Sequence, residues 1–154
     1  MDLRTRIATD LKAALKARDD VRVSTQRLIM AAIKDRDIAL RGQADDRGLT
    51  EAEILAILTR MVRMRQDSAQ AYEEGGRLEL VERERAEIGV IEGYLPRQFD
   101  PAETAAAVAA VVEELGATSI RDMGRVMAAL KDRYTGQMDF TRAGPLVKAR
   151  LAGG

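Results

Sequence analysis

The stretch TEAEILAILTRMVRMRQDSAQAYEEGGRLELVERERAEIGVIEGYLP, residues 50 to 96, decides the fold. Thr50-x-x-Glu53 is a capping-box pattern, in which each side chain satisfies a free backbone N–H at a helix start. Ile54, Ile57, Leu58, Met61, Arg65, Ser68 and Tyr72 then follow on one helical face. This helix runs to about Glu74, about 25 residues and about 37 Å. Gly75-Gly76 stops it, and Leu78, Val81, Ile88, Ile91 and Leu95 mark a second helix. Pro96 closes that one, because a residue before proline is pushed out of the helical region. The segment is therefore a helical hairpin.

The same periodicity extends in both directions. Leu3, Ile7, Leu11, Ala14 and Leu15 predict an amphipathic helix over residues 2–18, and Asp19-Asp20 supplies a break and a cap. Val21, Ser24, Leu28, Ile29, Ala32, Ile33 and Leu40 form the next stripe. The polar run Gly42 to Gly48 reads as a mobile loop. Pro96 to Asp100 reads as a linker, which divides the chain into an N-terminal helical domain, 1–96, and a C-terminal one, 97–154. Asp100-Pro101-x-Glu103 opens a helix with cap, first-turn proline and first-turn acid. Val108, Val111, Val112 and Leu115 are its buried stripe, and Gly116 ends it. Ser119-x-x-Asp122 resembles another capping box, followed by Met123, Val126, Met127 and Leu130. A last helix spans about Phe140 to Leu151, with Phe140, Ala143, Leu146, Val147 and Leu151 inward. Pro145 predicts a late start or a kink there. No strand pattern appears, so the fold class is all-α.

Composition removes much enzymology. The 154 residues contain no Cys, no His and no Asn, and Ser only at positions 24, 68 and 119. Thiolate nucleophiles, Ser–His pairs and Cys- or His-based metal sites are excluded. Formal charge is zero, with 25 basic and 25 acidic residues. Its distribution is uneven: residues 1–42 carry ten basic and six acidic side chains, and residues 43–100 carry eight and thirteen. Twenty of the basic residues are Arg, which suits forked contacts to phosphate or carboxylate. The longest apolar run, Ala105 to Val112, has eight residues and is too short to span a bilayer. Met1-Asp2-Leu3-Arg4 does not open an export signal, so the reading is a cytoplasmic, bacterial protein.

Three constellations carry chemistry. Arg65, Ser68 and Tyr72 share a face of the first hairpin helix, and Arg77, Glu84 and Glu87 follow on the second. They form either a polar pocket or a hairpin stitched by Arg–Glu pairs. Glu84 and Glu87 lack the His partners of di-metal bundle sites, so no metal and no cofactor is expected. In Asp122-Met123-Gly124-Arg125-Val126-Met127, glycine within a helix predicts a close helix approach, with Arg125 free for a ligand. Lys131 to Gln137, followed by Arg142, Lys148 and Arg150, is a basic cluster that either meets an RNA backbone or is simply solvated.

In sum, Arg65, Ser68, Tyr72, Gly76-Arg77, Leu80, Glu84, Glu87-Ile88 and Tyr94-Leu95-Pro96 resemble the stand-alone YqeY-type proteins of the GatB/YqeY family. Asp122 to Met127, with Met123, Gly124 and Met127, and Leu146-Val147-Lys148-x-x-Leu151 match the same family. The resemblance covers essentially the whole chain. It implies an N-terminal four-helix part and a C-terminal three-helix GatB/YqeY-type bundle. That bundle is shared with the tail of the GatB subunit of tRNA-dependent amidotransferase, a carbon–nitrogen ligase with glutamine as amide donor. In that enzyme the tail helps hold tRNA while catalysis lies elsewhere.

The expected function is accordingly a non-catalytic, tRNA- or RNA-associated accessory protein, with Arg125, Lys131, Arg133, Lys148 and Arg150 as the contact. Its partners would be tRNA, bound weakly, or a synthetase or amidotransferase complex, without a membrane. One alternative is a helical protein-interaction adaptor. Another is ligase activity as part of an amidotransferase, for which no nucleophile with an activating base can be named. A continuous basic stripe favours RNA, and an exposed apolar patch favours a protein partner.

Overall fold

A computed structural model describes residues 1–41 and 48–153 of the chain. Among them there are helices and no strands. The expected loop at Gly42 to Gly48 lies, for residues 42–47, outside the described residues. Contacts divide the chain into two compact units, Met1–Leu95 and Pro96–Gly154.

In the first unit, α1 (Leu3–Ala17) starts at Asp2, whose carboxylate accepts from the Thr5 N–H at 2.7 Å. Arg18 ends it at φ 56°, in the left-handed region, and Asp19 at once caps α2 (Asp20–Leu40). The capping box of α3 (Glu51–Glu74) is formed in both directions, Glu53 N–H to Thr50 at 3.2 Å and Thr50 N–H to Glu53 at 3.1 Å. Gly75 and Gly76, the latter at φ 71°, turn the chain into α4 (Leu78–Glu92). Leu3, Ile7, Ile29, Ile33, Ile54, Leu58, Met61, Val62, Ile91 and Tyr94 make the core.

Tyr94 closes this core. Only 7% exposed, it donates its hydroxyl to Asp10 Oδ2 at 2.7 Å and accepts from Gln26 Nε2 at 2.9 Å. The Arg6 guanidinium lies 4.9 Å from its ring centroid and donates to the Gly93 carbonyl. Burial, reinforced by the bond to Asp10, pushes the phenol up to about 12, so the hydroxyl keeps its donor proton at neutral pH.

The second unit contains α5 (Pro101–Glu114), a 3₁₀ turn (Ile120–Asp122), α6 (Met123–Tyr134) and α7 (Phe140–Gly153). Asp100 and Glu103 cap α5 reciprocally, and Pro101 sits at its start. The Arg97 fork and the cap bonds hold the Glu103 carboxyl at about 2. Val108, Val111, Val126, Leu130, Met138, Ala143 and Val147 fill the centre. Phe99 reaches the Tyr134 ring at 5.1 Å, and its N–H donates to the Gln137 carbonyl.

Several expectations are corrected. Leu28 is 48% exposed, and its assigned place inside is taken by Thr25 and Gln26. Leu15 and Leu78 are exposed, and so is Leu146 of the terminal stripe. The last helix does not start late. Asp139 receives the Thr141 N–H at 3.0 Å and α7 begins at Phe140, leaving Pro145 inside it. The Thr141 carbonyl therefore receives no N–H from position 145. Gly124 makes no close approach: it is exposed, and a Cβ there meets nothing within 4 Å.

Two outcomes follow for stability, both read by urea denaturation. Tyr94→Phe strands the Gln26 amide in the core and should cost roughly 1–3 kcal/mol. Gly124→Ala should stabilise by about 0.5–1 kcal/mol, since glycine has only its helix-propensity penalty to lose.

Candidate functional site

The α3–α4 hairpin carries the densest polar group. Arg65 donates from Nε to Glu87 Oε2 at 3.0 Å and from a terminal nitrogen to the Met61 carbonyl at 3.2 Å. Arg83, one turn before Glu87 on α4, donates to its other oxygen at 3.4 Å. Both ends of the Arg65–Glu87 pair are nearly buried, which distinguishes it from the exposed pairs elsewhere. The pair also sets the hairpin register: in antiparallel helices Ser68 then stands level with Glu84, and Tyr72 level with Leu80. Arg77 does not join the group. It is exposed and pairs with Glu79.

Glu84 is the unsettled member. Its Oε2 is buried with no hydrogen-bond partner. Burial pushes its carboxyl above 4.5, the adjacent Glu87 charge adds to the rise, and Arg65 and Arg83 oppose it. Among the described residues, no three metal-ligating side chains gather around a point where an ion could sit. The hydroxyls of Ser24, Thr59, Thr104 and Thr135 donate to backbone carbonyls of their own helices, not to a base.

The five expected RNA contacts lie in the second unit and do not form one stripe. Arg125 is not free: it pairs with Asp122 at 3.2 Å, and Asp122 also accepts from the Thr118 and Ser119 N–H groups. Arg133 forks onto both oxygens of Glu114, the closer at 2.6 Å, and holds that carboxyl below the usual glutamate range. Lys131, Lys148 and Arg150 are exposed and make no ion pair among the described residues. Residues two apart on a helix point about 160° away from each other. Lys131 and Arg133 therefore diverge on α6, as do Lys148 and Arg150 on α7.

Of the motif residues, Met123 and Met127 are half-buried beside Val126, while Pro96 is exposed. Gln26, Thr25 and Asp10 were missed by the sequence reading. The spacing of Gln26, Ile29 and Ile33 marks the true inner face of α2, but a reading by apolarity prefers Leu28.

A profile of the Yqey-like protein family matches residues 4–151. The chain belongs to the Yqey-like family. Curated relatives include three fungal proteins, each called altered inheritance of mitochondria protein 41, mitochondrial. That of Lachancea thermotolerans is 33% identical over 95 residues, 62% of this chain and 49% of the relative. The Eremothecium gossypii protein is 31% identical over 94 residues, covering 61% and 49%. That of Saccharomyces cerevisiae is 30% identical over 86 residues, covering 56% and 44%. The matched segment thus spans about half the length of these relatives. Among the described residues of this family member, no helix is long and apolar enough to cross a membrane.

The raised Glu84 carboxyl has a stability consequence. The folded chain holds that proton more tightly than the unfolded chain, so its contribution is complete at acid pH and declines as pH rises through the raised value. Thermal melts should show Glu84→Gln more stable than wild type at pH 7, with the gap closing near pH 4. A gap of constant size across this range would assign the effect to packing.

Proposed function

We propose that this Yqey-like protein is a non-catalytic accessory protein that associates with tRNA, acting in the cytoplasm. In this reading its second unit is a three-helix domain of the GatB/YqeY type, like the tail that helps hold tRNA in the amidotransferase. The observation that carries the reading is family membership across residues 4–151, which takes in α5, α6 and all but the last two residues of α7. Exposed, unpaired Lys131, Lys148 and Arg150 support it with cations available to phosphates. Ion pairing of Arg125 and Arg133 makes those two weaker contributors, although exposed pairs are cheap to exchange. Carbon–nitrogen ligase chemistry of its own has no support in the hairpin, where Arg65 and Arg83 occupy both oxygens of Glu87.

A second reading, a helical adaptor for a synthetase or amidotransferase complex, is favoured by one observation. Leu28 and Ile38 on α2 are each about half exposed.

The test is a titration of purified tRNA into the full chain at several salt concentrations. Binding should be weak and fall with salt. Lys131→Gln with Lys148→Gln should weaken it about threefold for different tRNAs alike and reduce the log–log salt slope by roughly 1.5, at about 0.7–0.9 per phosphate contact. No detectable binding at low salt would favour the adaptor.

A further inference from the structure

Ion pairing sorts the cations of the first unit in a way that net charge does not. On α1 and α2, Arg4 pairs with Asp37 and Arg22 with Asp19. Lys12, Lys16, Arg27 and Lys34 make no ion pair among the described residues, and all four are exposed. Their placement is not scattered. The Arg4–Asp37 pair, 2.8 Å long, marks the antiparallel register of the two helices, which places Lys12 level with the middle of α2. At about 100° per residue, Lys12 and Lys16 share the side of α1 opposite buried Leu3, Ile7 and Ala14. Arg27 and Lys34, seven residues apart, share the side of α2 away from Ile29 and Ile33 and stand about 10 Å apart along the axis.

Two open cavities flank that side of α2 and share Ala31. One, of about 600 Å³, has Arg27 on its wall, and the other, of about 320 Å³, opens at the seam with α1, where Lys34 stands beside Arg4, Asp37 and Ile33. Asp20 and Asp35 are the acids near this side without an ion pair, and Asp20 lies at the helix start, where the N-terminal dipole favours it. The surplus is thus cationic, spread over two helices, and accompanied by a groove. In the second unit, by contrast, Arg97, Arg125 and Arg133 are each taken up by a neighbouring acid, and of the unpaired Lys131, Lys148 and Arg150 the two on α7 point away from each other.

We infer that the solvent face of the α1–α2 hairpin, through Lys12, Arg27 and Lys34, is the principal phosphate-backbone contact for RNA. This rests on the tRNA-associated reading above and moves its main contact to the N-terminal unit. Phosphate contacts position a nucleic acid without reading sequence, so the face discriminates little between tRNAs.

The experiment compares three full-length proteins, using bulk tRNA and fluorescence anisotropy from about 50 to 200 mM salt. They are wild type, the triple variant Lys12→Gln, Arg27→Gln, Lys34→Gln, and the pair Lys131→Gln, Lys148→Gln. The triple variant should bind at least tenfold more weakly at low salt, with its salt slope reduced by roughly 2–3, while the pair loses about threefold. Circular dichroism melts check that the triple variant folds. A charge-keeping variant, Lys12→Arg with Arg27→Lys and Lys34→Arg, should bind like wild type whatever the melts show. If the pair costs more than the triple, or the charge-keeping variant loses as much as the triple, this assignment fails and the tRNA reading survives. If wild type binds no tRNA at about 50 mM salt, both fall and the adaptor reading remains.

Discussion

The first unit depends on one buried hydroxyl. Tyr94 ends the chain's return along α4, and its hydrogen bonds reach Asp10 on α1 and Gln26 on α2. The first two helices and the turn after α4 therefore meet at one atom. The core of Ile7, Ile29, Ile33, Leu58 and Ile91 supplies non-directional attraction, which any rotation of a helix about its axis would partly preserve. The hydroxyl is directional. A helix turned by one residue would leave a polar group buried without a partner, at a cost comparable to losing a side chain from the core. Gln26 is fully buried on the same face of α2 as Ile29 and Ile33, and Tyr94 accepts its amide N–H there.

Charge follows a related logic. Half the cations of the second unit, Arg97, Arg125, Arg133 and Arg142, are paired with acids, so its surface is closer to neutral than its Arg and Lys positions imply. On α1, α2 and their caps six acids face ten cations, and most of those acids carry other bonds. Asp2 and Asp19 cap helices, Asp10 receives Tyr94, and Asp37 receives Arg4. Carboxylates spent on caps and on the core leave cations outside without partners. The same hydrogen bonds that fold the hairpin thus create its external charge.

The hairpin of α3 and α4 was largely legible. Arg65 and Glu87 lie on predicted faces of predicted helices, and a tight Gly-Gly turn leaves few ways for them to miss each other. Ser68 and Glu84 follow from the same register. Arg77 was misplaced because, next to the turn, it reaches Glu79 before it reaches the hairpin's inner face. Gly124 was misread because glycine in a helix has two causes, close approach and mere tolerance, and spacing does not separate them. Arg125 and Arg133 were read as available because their partners become visible only once the helices are placed.

By itself the sequence determined the helices and most of their ends. Thr50 with Glu53, Asp100 with Glu103, and Gly116 at φ 63° act through bonds and torsions within a few residues, so they operate before any tertiary contact forms. Tertiary structure alone decided which face of an ambiguous helix is buried. Leu28 lies outside and Gln26 inside because burial of Ile29 and Ile33 turns that face of α2 inward, where Tyr94 accepts a hydrogen bond from the Gln26 amide. It also decided which charges remain for a ligand, because pairs such as Arg4–Asp37 and Arg133–Glu114 join residues that only packing brings within reach.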